Sequence, residues 1–139
     1  MNDQQLIERF NAHAPAFIGM LGGRVIEADA KSQSCVFEFN ISRDFCHSVD
    51  VVQGGFVTAM VDAATTFALY GANGRAKPTV STLEIKTNYF EPSRAGRLKV
   101  VGRVIREGYR IAFMEGEVYD HNGTLTANAS TVAKLSRPK

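Results

Sequence analysis

The sequence predicts an α+β fold, an antiparallel β-sheet wrapped around one long central α-helix. Three observations predict it. From about Gly54 to Tyr70 the chain is apolar almost all the way round a helical wheel, through Phe56, Val57, Met60, Val61, Ala64, Phe67, Ala68 and Leu69. Such a helix is normally buried on all sides. Runs that alternate apolar and polar residues stand before and after it, and Asn122-Gly123, between two of them, is a hairpin turn signal.

The elements follow in order. Residues 3–12 place Leu6, Ile7 and Phe10 at helical spacing, with Asp3 able to cap the start. Pro15 and the Gly19, Gly22, Gly23 cluster end that helix and lead into extended chain. Arg24–Ala30 and Cys35–Ile41 read as strands joined by a hairpin turn at 31–34; in the second, Cys35, Phe37, Phe39 and Ile41 share one face. A looser segment, Ser42–Val52, precedes the long helix, and Gly71, Asn73, Gly74 and Pro78 end it. Four strands follow. Thr79–Phe90 sets Leu83, Ile85, Thr87 and Tyr89 against Thr82, Glu84, Lys86 and Asn88. Arg97–Arg106 is valine-rich, Tyr109–Tyr119 carries Ile111 and Phe113 on one face, and Leu125–Leu135 completes the sheet.

At 139 residues the chain is expected to be one domain, residues 1–139. The 16 basic residues are scattered among 14 acidic ones, with no aromatic-interleaved basic cluster, so nucleic acid is not an expected partner. The apolar stretch 51–74 is interrupted by Asp62, and the first residues resemble no signal peptide, so no membrane partner is expected and a cytoplasmic, reducing setting is. Two cysteines, Cys35 and Cys46, build neither a disulfide framework nor a structural zinc site. Any chemistry must therefore use few groups, with no metal and no redox cofactor.

Asp62 is the sharpest of those groups, the only charged side chain between Val51 and Gly74. Burying an unpaired carboxylate is costly. Either Asp62 faces a solvent edge or caps an adjoining loop, or it serves as general base or nucleophile. Gln53-Gly54-Gly55 stands where the helix begins, where unpaired backbone N–H groups and the positive end of the helix dipole suit an oxyanion. Gly54 and Asp62 are eight residues apart, roughly 12 Å along one helix at 1.5 Å per residue. They cannot both reach one carbonyl carbon within one chain. If both are catalytic, they meet across a symmetric dimer interface.

Two segments then carry a family resemblance: His47-Ser48-Val49-Asp50-Val51-Val52-Gln53-Gly54-Gly55 followed by Asp62, and Thr82-Leu83-Glu84-Ile85-Lys86-Thr87-Asn88-Tyr89-Phe90-Glu91-Pro92. Together they resemble the hotdog-fold acyl-CoA thioesterases of the PaaI type. Asp120, Gly123 and Ala127 fit that family's final hairpin, and the likeness covers about residues 20–135. The resemblance implies that Gly54 donates its N–H to the thioester oxygen. It further implies that Asp62 of the partner subunit attacks or activates water while Thr82 orients it. Gln53 stands where many members have histidine, and Gly55 follows in the same turn. His47 stands where asparagine or glutamine is usual and would hold the water or carbonyl. It implies an acyl-CoA substrate and a homodimer or dimer-of-dimers tetramer. Candidate partners for the coenzyme A phosphates are Arg75, Lys77, Arg94, Arg106 and Arg110, and Phe17, Met20, Phe56, Met60 and Phe67 would set the length of the acyl pocket. A non-catalytic acyl-CoA-binding or regulatory module competes with this reading. So does hydration or dehydration of an acyl-CoA by His47 and Asp62.

Overall fold

The computed structural model describes residues 2–72 and 79–137. Helix α1 (Asp3–Ala12) and the single helical turn α2 (Ala16–Met20) lead into strands β1 (Gly23–Asp29) and β2 (Ser34–Ile41). The short ladder of β3 (Cys46–Ser48) and β4 (Val51–Val52) precedes helix α3 (Gly54–Ala72). Strands β5 (Thr79–Tyr89), β6 (Gly96–Glu107), β7 (Ile111–Tyr119) and β8 (Leu125–Ser136) complete the chain. Six strands form one antiparallel sheet in the order β1-β2-β6-β7-β8-β5. Every one of them contacts α3. The core lies between, with Phe37, Phe39, Leu98, Val100 and Val118 of the sheet against Val57, Met60, Val61 and Leu69 of α3, all at most 1% exposed.

Two glycines set how closely helix and sheet approach. Gly102 of β6 and Gly116 of β7 are direct cross-strand partners. A Cβ on Gly102 would stand 2.3 Å from the Ala64 carbonyl carbon, and one on Gly116 would stand 2.7 Å from Val61 Cγ1. Helix backbone therefore rests directly on sheet backbone. On β7, Ala112, Met114, Gly116 and Val118 point at α3, while Ile111 and Phe113 share the outer face, where Phe113 is 46% exposed.

Several local expectations change. The helix start at α1 is capped by Asn2 rather than Asp3, in a reciprocal capping box with Gln5. Residues 16–20 are helical rather than extended, with buried Ile18 holding the turn to the core. Segment 42–52 carries a 3₁₀ turn and the β3–β4 ladder. The β7–β8 connection is longer than a two-residue turn, because Asp120 Oδ1 accepts from the N–H groups of Asn122 and Thr124 while Gly123 sits at φ +80°. Asn73, Gly74 and Pro78, expected to end α3, lie outside the described residues.

The two edges of the sheet differ. On β1, the Asn11 side chain accepts from Val25 N–H at 2.8 Å and donates to Val25 C=O at 2.9 Å, taking the place of a neighbouring strand. Asn11→Ala leaves both backbone groups partly buried without partners, and should lower stability by about 1–3 kcal/mol. Thermal unfolding followed by circular dichroism checks it. Strand β5, the opposite edge, runs eleven residues and is largely exposed.

Candidate active site

Helix α3 is not sealed on every side, as its composition led one to expect. Gly55, Phe56, Thr58, Ala59, Asp62, Thr66 and Tyr70 keep exposure, and at helical spacing they form one stripe. Asp62 sits on it. The carboxylate therefore keeps contact with water and avoids the cost of full burial. Its Oδ1 accepts a hydrogen bond from Thr82 Oγ1 at 2.9 Å.

Thr82 reaches the helix because β5 contains a bulge. The register with β8 shifts between Thr82 and Glu84, so that Leu83 is the extra residue and stands 58% exposed. A regular strand would put Thr82 on the face opposite Ile85, Thr87 and Tyr89. The bulge puts all four on the α3 side. Thr87 and Tyr89 then each bond Thr58, at 2.8 and 2.7 Å, and the Tyr89 hydroxyl donates to the Gly54 carbonyl at 2.6 Å.

At the start of α3 four backbone N–H groups need partners from outside the helix. Gln53 N–H donates to Phe45 C=O at 2.9 Å, Phe56 N–H to Gln53 C=O at 2.9 Å, and Gly55 N–H to Gln53 Oε1 at 2.8 Å. Among the described residues nothing accepts from Gly54 N–H. The helix start thus presents one open donor at its positive end. Gln53, expected to touch substrate, is the residue that closes the neighbouring donor. A cleft of about 360 Å³ lies beside Gly54, lined among others by His47, Val52, Val57, Tyr89, Phe90 and Pro92. His47 is exposed there on β3.

The structure thus joins Thr82 to Asp62, Gln53 to Gly55, and His47 to Gly54 across one cleft. It does not bring Asp62 to Gly54 within one chain. Tyr89, Thr58 and Thr87 were not singled out from sequence, because the contacts that involve them span some thirty residues. Of the expected cationic groups, Arg94 bonds Asp50 at 2.6 Å next to the cleft, Arg106 and Arg110 are exposed at the β6–β7 hairpin, and Arg75 and Lys77 lie outside the described residues. Of the expected acyl-pocket residues, Met60 and Phe67 are core, while Phe17, Met20 and Phe56 are exposed.

A larger cleft of about 530 Å³ lies on the outer face of the sheet, among Arg97, Lys99, Arg103, Glu117, Tyr119 and His121. Its central charges satisfy one another: Arg103 bonds Glu115 at 2.8 Å and Glu117 as well, and Tyr119 donates to Glu117 at 2.8 Å. Burial raises the Glu117 carboxyl, but bonds from Tyr119 and Arg103 outweigh it and hold the pKa below its ordinary value. None of the sequence-predicted site residues lines this cleft. Among the described residues no cluster of three or more His, Cys, Asp or Glu could hold a metal ion, and no helix is long and apolar enough to cross a membrane.

Residues 50–127, which span α3, β5 and the site segments apart from His47–Val49, match the thioesterase superfamily. The chain belongs to that superfamily. A protein of Saccharolobus solfataricus, described provisionally as an esterase, is 33% identical over 92 residues; the match covers 66% of this chain and 60% of that protein. The chain thus spans about three fifths of that relative's length. Among solved structures, a Ralstonia eutropha protein described provisionally as a thioesterase related to phenylacetic acid degradation is 28% identical, with a TM-score of 0.82 over 96% of this chain and 99% of that one. The PaaI protein of the E. coli phenylacetic acid degradation operon superposes with a TM-score of 0.81 over 96% of each chain at 16% identity, a likeness of fold. The superfamily member described here has the hotdog fold that its sequence resemblance implies.

Proposed function

We propose that this thioesterase-superfamily chain hydrolyses an acyl-CoA to the free acid and coenzyme A, as a homodimer or a dimer of such dimers in the cytoplasm. The observation that carries the reading is the single open N–H at the start of α3, facing a cleft, on the same helix as an exposed carboxylate held by a threonine. Gly54 N–H polarises the thioester carbonyl and takes up the charge that develops on its oxygen. Asp62 of the partner subunit either removes a proton from the attacking water or attacks the carbonyl carbon itself, and the thiolate of coenzyme A leaves. Thr82 keeps that carboxylate oriented. His47 reaches the bound carbonyl or water from the cleft wall, while Gln53 and Gly55 hold the turn that presents Gly54.

The β5 edge supports the dimer. A long exposed edge strand is a template for another chain, and Asp62 is bonded to β5 through Thr82. Pairing two copies along β5 moves each carboxylate toward the other copy's helix start. Exposed Arg106 and Arg110 are free to meet the nucleotide phosphates. Cys35 and Cys46 are free thiols, which suits a reducing compartment.

Purified protein offered a panel of acyl-CoAs, with thiol release followed by a chromogenic disulfide, should release coenzyme A from at least one of them at about 1–10³ per second. One observation favours a binding module without turnover: the His47 ring makes no hydrogen bond among the described residues, so nothing fixes it on a water. Tight acyl-CoA binding with no thiol release across the panel would decide for that module.

A further inference from the structure

The hydroxyl groups between β5 and α3 form a chain whose direction is fixed by counting protons. The Gly54 carbonyl can only accept, so the Tyr89 hydroxyl spends its one proton there. Thr58 must then donate to Tyr89, and Thr87 to Thr58. The order is Thr87 to Thr58 to Tyr89 to the Gly54 carbonyl, three hydroxyls ending on one peptide group. Aligned bonds of this kind polarise and strengthen one another. The same peptide is held from its other side, because its N–H, that of Gly55, donates to Gln53 Oε1 at 2.8 Å. The Tyr89 ring also fills the space beside Gly54 Cα: a Cβ there would stand 3.2 Å from Tyr89 Cζ and from its oxygen. A side chain at 54 would thus press on the tyrosine that leans there, which would have to give by a few tenths of an ångström.

We propose that Tyr89 is a positioning residue for the oxyanion donor: its hydroxyl, backed by Thr58 and Thr87, clamps the Gly54–Gly55 peptide so that the neighbouring Gly54 N–H keeps one direction into the cleft. The inference rests on the reading of Gly54 as that donor. A donor must meet the oxygen where it will stand in the transition state, and small misplacements cost rate rather than substrate affinity. Tyr89 touches no reacting atom in this scheme.

Tyr89→Phe keeps the ring and removes the hydroxyl. On the best acyl-CoA of the panel it should lower kcat about 5- to 30-fold, part of the roughly 10²–10³ that loss of a whole donor costs, with KM within about twofold. Thr58→Val should reproduce the loss and Thr58→Ser, which restores a hydroxyl, should recover most of kcat; a purely structural threonine would show no such rescue. In Tyr89→Phe the Gly55 amide should exchange with solvent about tenfold faster while amides of the helix middle stay unchanged. Unaltered kcat in Tyr89→Phe, with the parent active, overturns this inference alone. A parent that releases no thiol from any acyl-CoA overturns the thioesterase reading and the positioning role with it. Should Tyr89→Phe fail to fold, the Thr58→Val and Thr58→Ser pair decides.

Discussion

Asp62→Asn should lower thiol release by about 10²-fold or more, the range a positioned base or nucleophile contributes. It should leave the fold intact. Asparagine has nearly the same shape, its Oδ1 can still accept from Thr82 Oγ1, and position 62 lies on the open stripe of α3 rather than in the core. What it removes is the negative charge and the lone pairs that take a proton or attack a carbonyl. Acyl-CoA affinity should stay within a few fold, because Gly54 N–H and the cleft wall are untouched. Chromogenic thiol release and equilibrium binding, measured on the same preparations, check the two halves. An Asp62→Asn variant as active as the parent would sink the role given to Asp62.

Gly102→Ala should be the most destabilising single-methyl change in the sheet. The added Cβ would lie 2.3 Å from the Ala64 carbonyl carbon and 2.4 Å from its oxygen, and both belong to helix backbone. No rotamer change relieves that contact. The helix must rise off β6 and β7, which loosens Val61, Ala64 and Leu69 against the sheet, and overpacking of this kind costs about 1–3 kcal/mol or more. For a chain of this size that corresponds to a fall in Tm of roughly 5–15 °C. The same substitution at Gly55 meets only the tip of the Gln53 side chain, at 2.8 Å, and should cost far less stability. Differential scanning calorimetry of the two variants at equal protein concentration makes the comparison.

The architecture was legible because its cues are local. An apolar helix of about 17 residues and six strand-like runs survive in any reading of the chain, and the structure moves most of those boundaries by only one or two residues. Asp62, Gly54 and Thr82 were legible because one charge on an apolar helix and a Gly-Gly helix start are conspicuous, and a resemblance linked them to a strand. The open stripe on α3 was not, because hydrophobicity alone cannot say which alanine and threonine positions the sheet leaves uncovered. The bulge at Leu83 was not either. Alternation through Thr82–Tyr89 is flawless on paper, and only pairing with β8 shows that one residue is extruded. With that extra residue unread, Thr82 was placed on the opposite face from Thr87 and Tyr89; the hydroxyl chain was missed for another reason, since it joins Thr87 and Tyr89 to Thr58, some thirty residues away. Asn11 was missed for a related reason: its two bonds join it to Val25, fourteen residues on.

The unequal edges of the sheet have a consequence for how far association can go. On strand β1, Asn11 already holds Val25 N–H and C=O, at the point where a neighbour would bind. Among the described residues β5 is the edge left long and exposed. If two copies pair there as proposed, that edge is used up and each remaining end is the β1 edge that Asn11 obstructs. Growth by strand addition would then be held at two six-stranded sheets, and a larger assembly would form through faces rather than edges. An asparagine on the first helix thereby acts as a terminator, and keeps a chain with so inviting a border from polymerising.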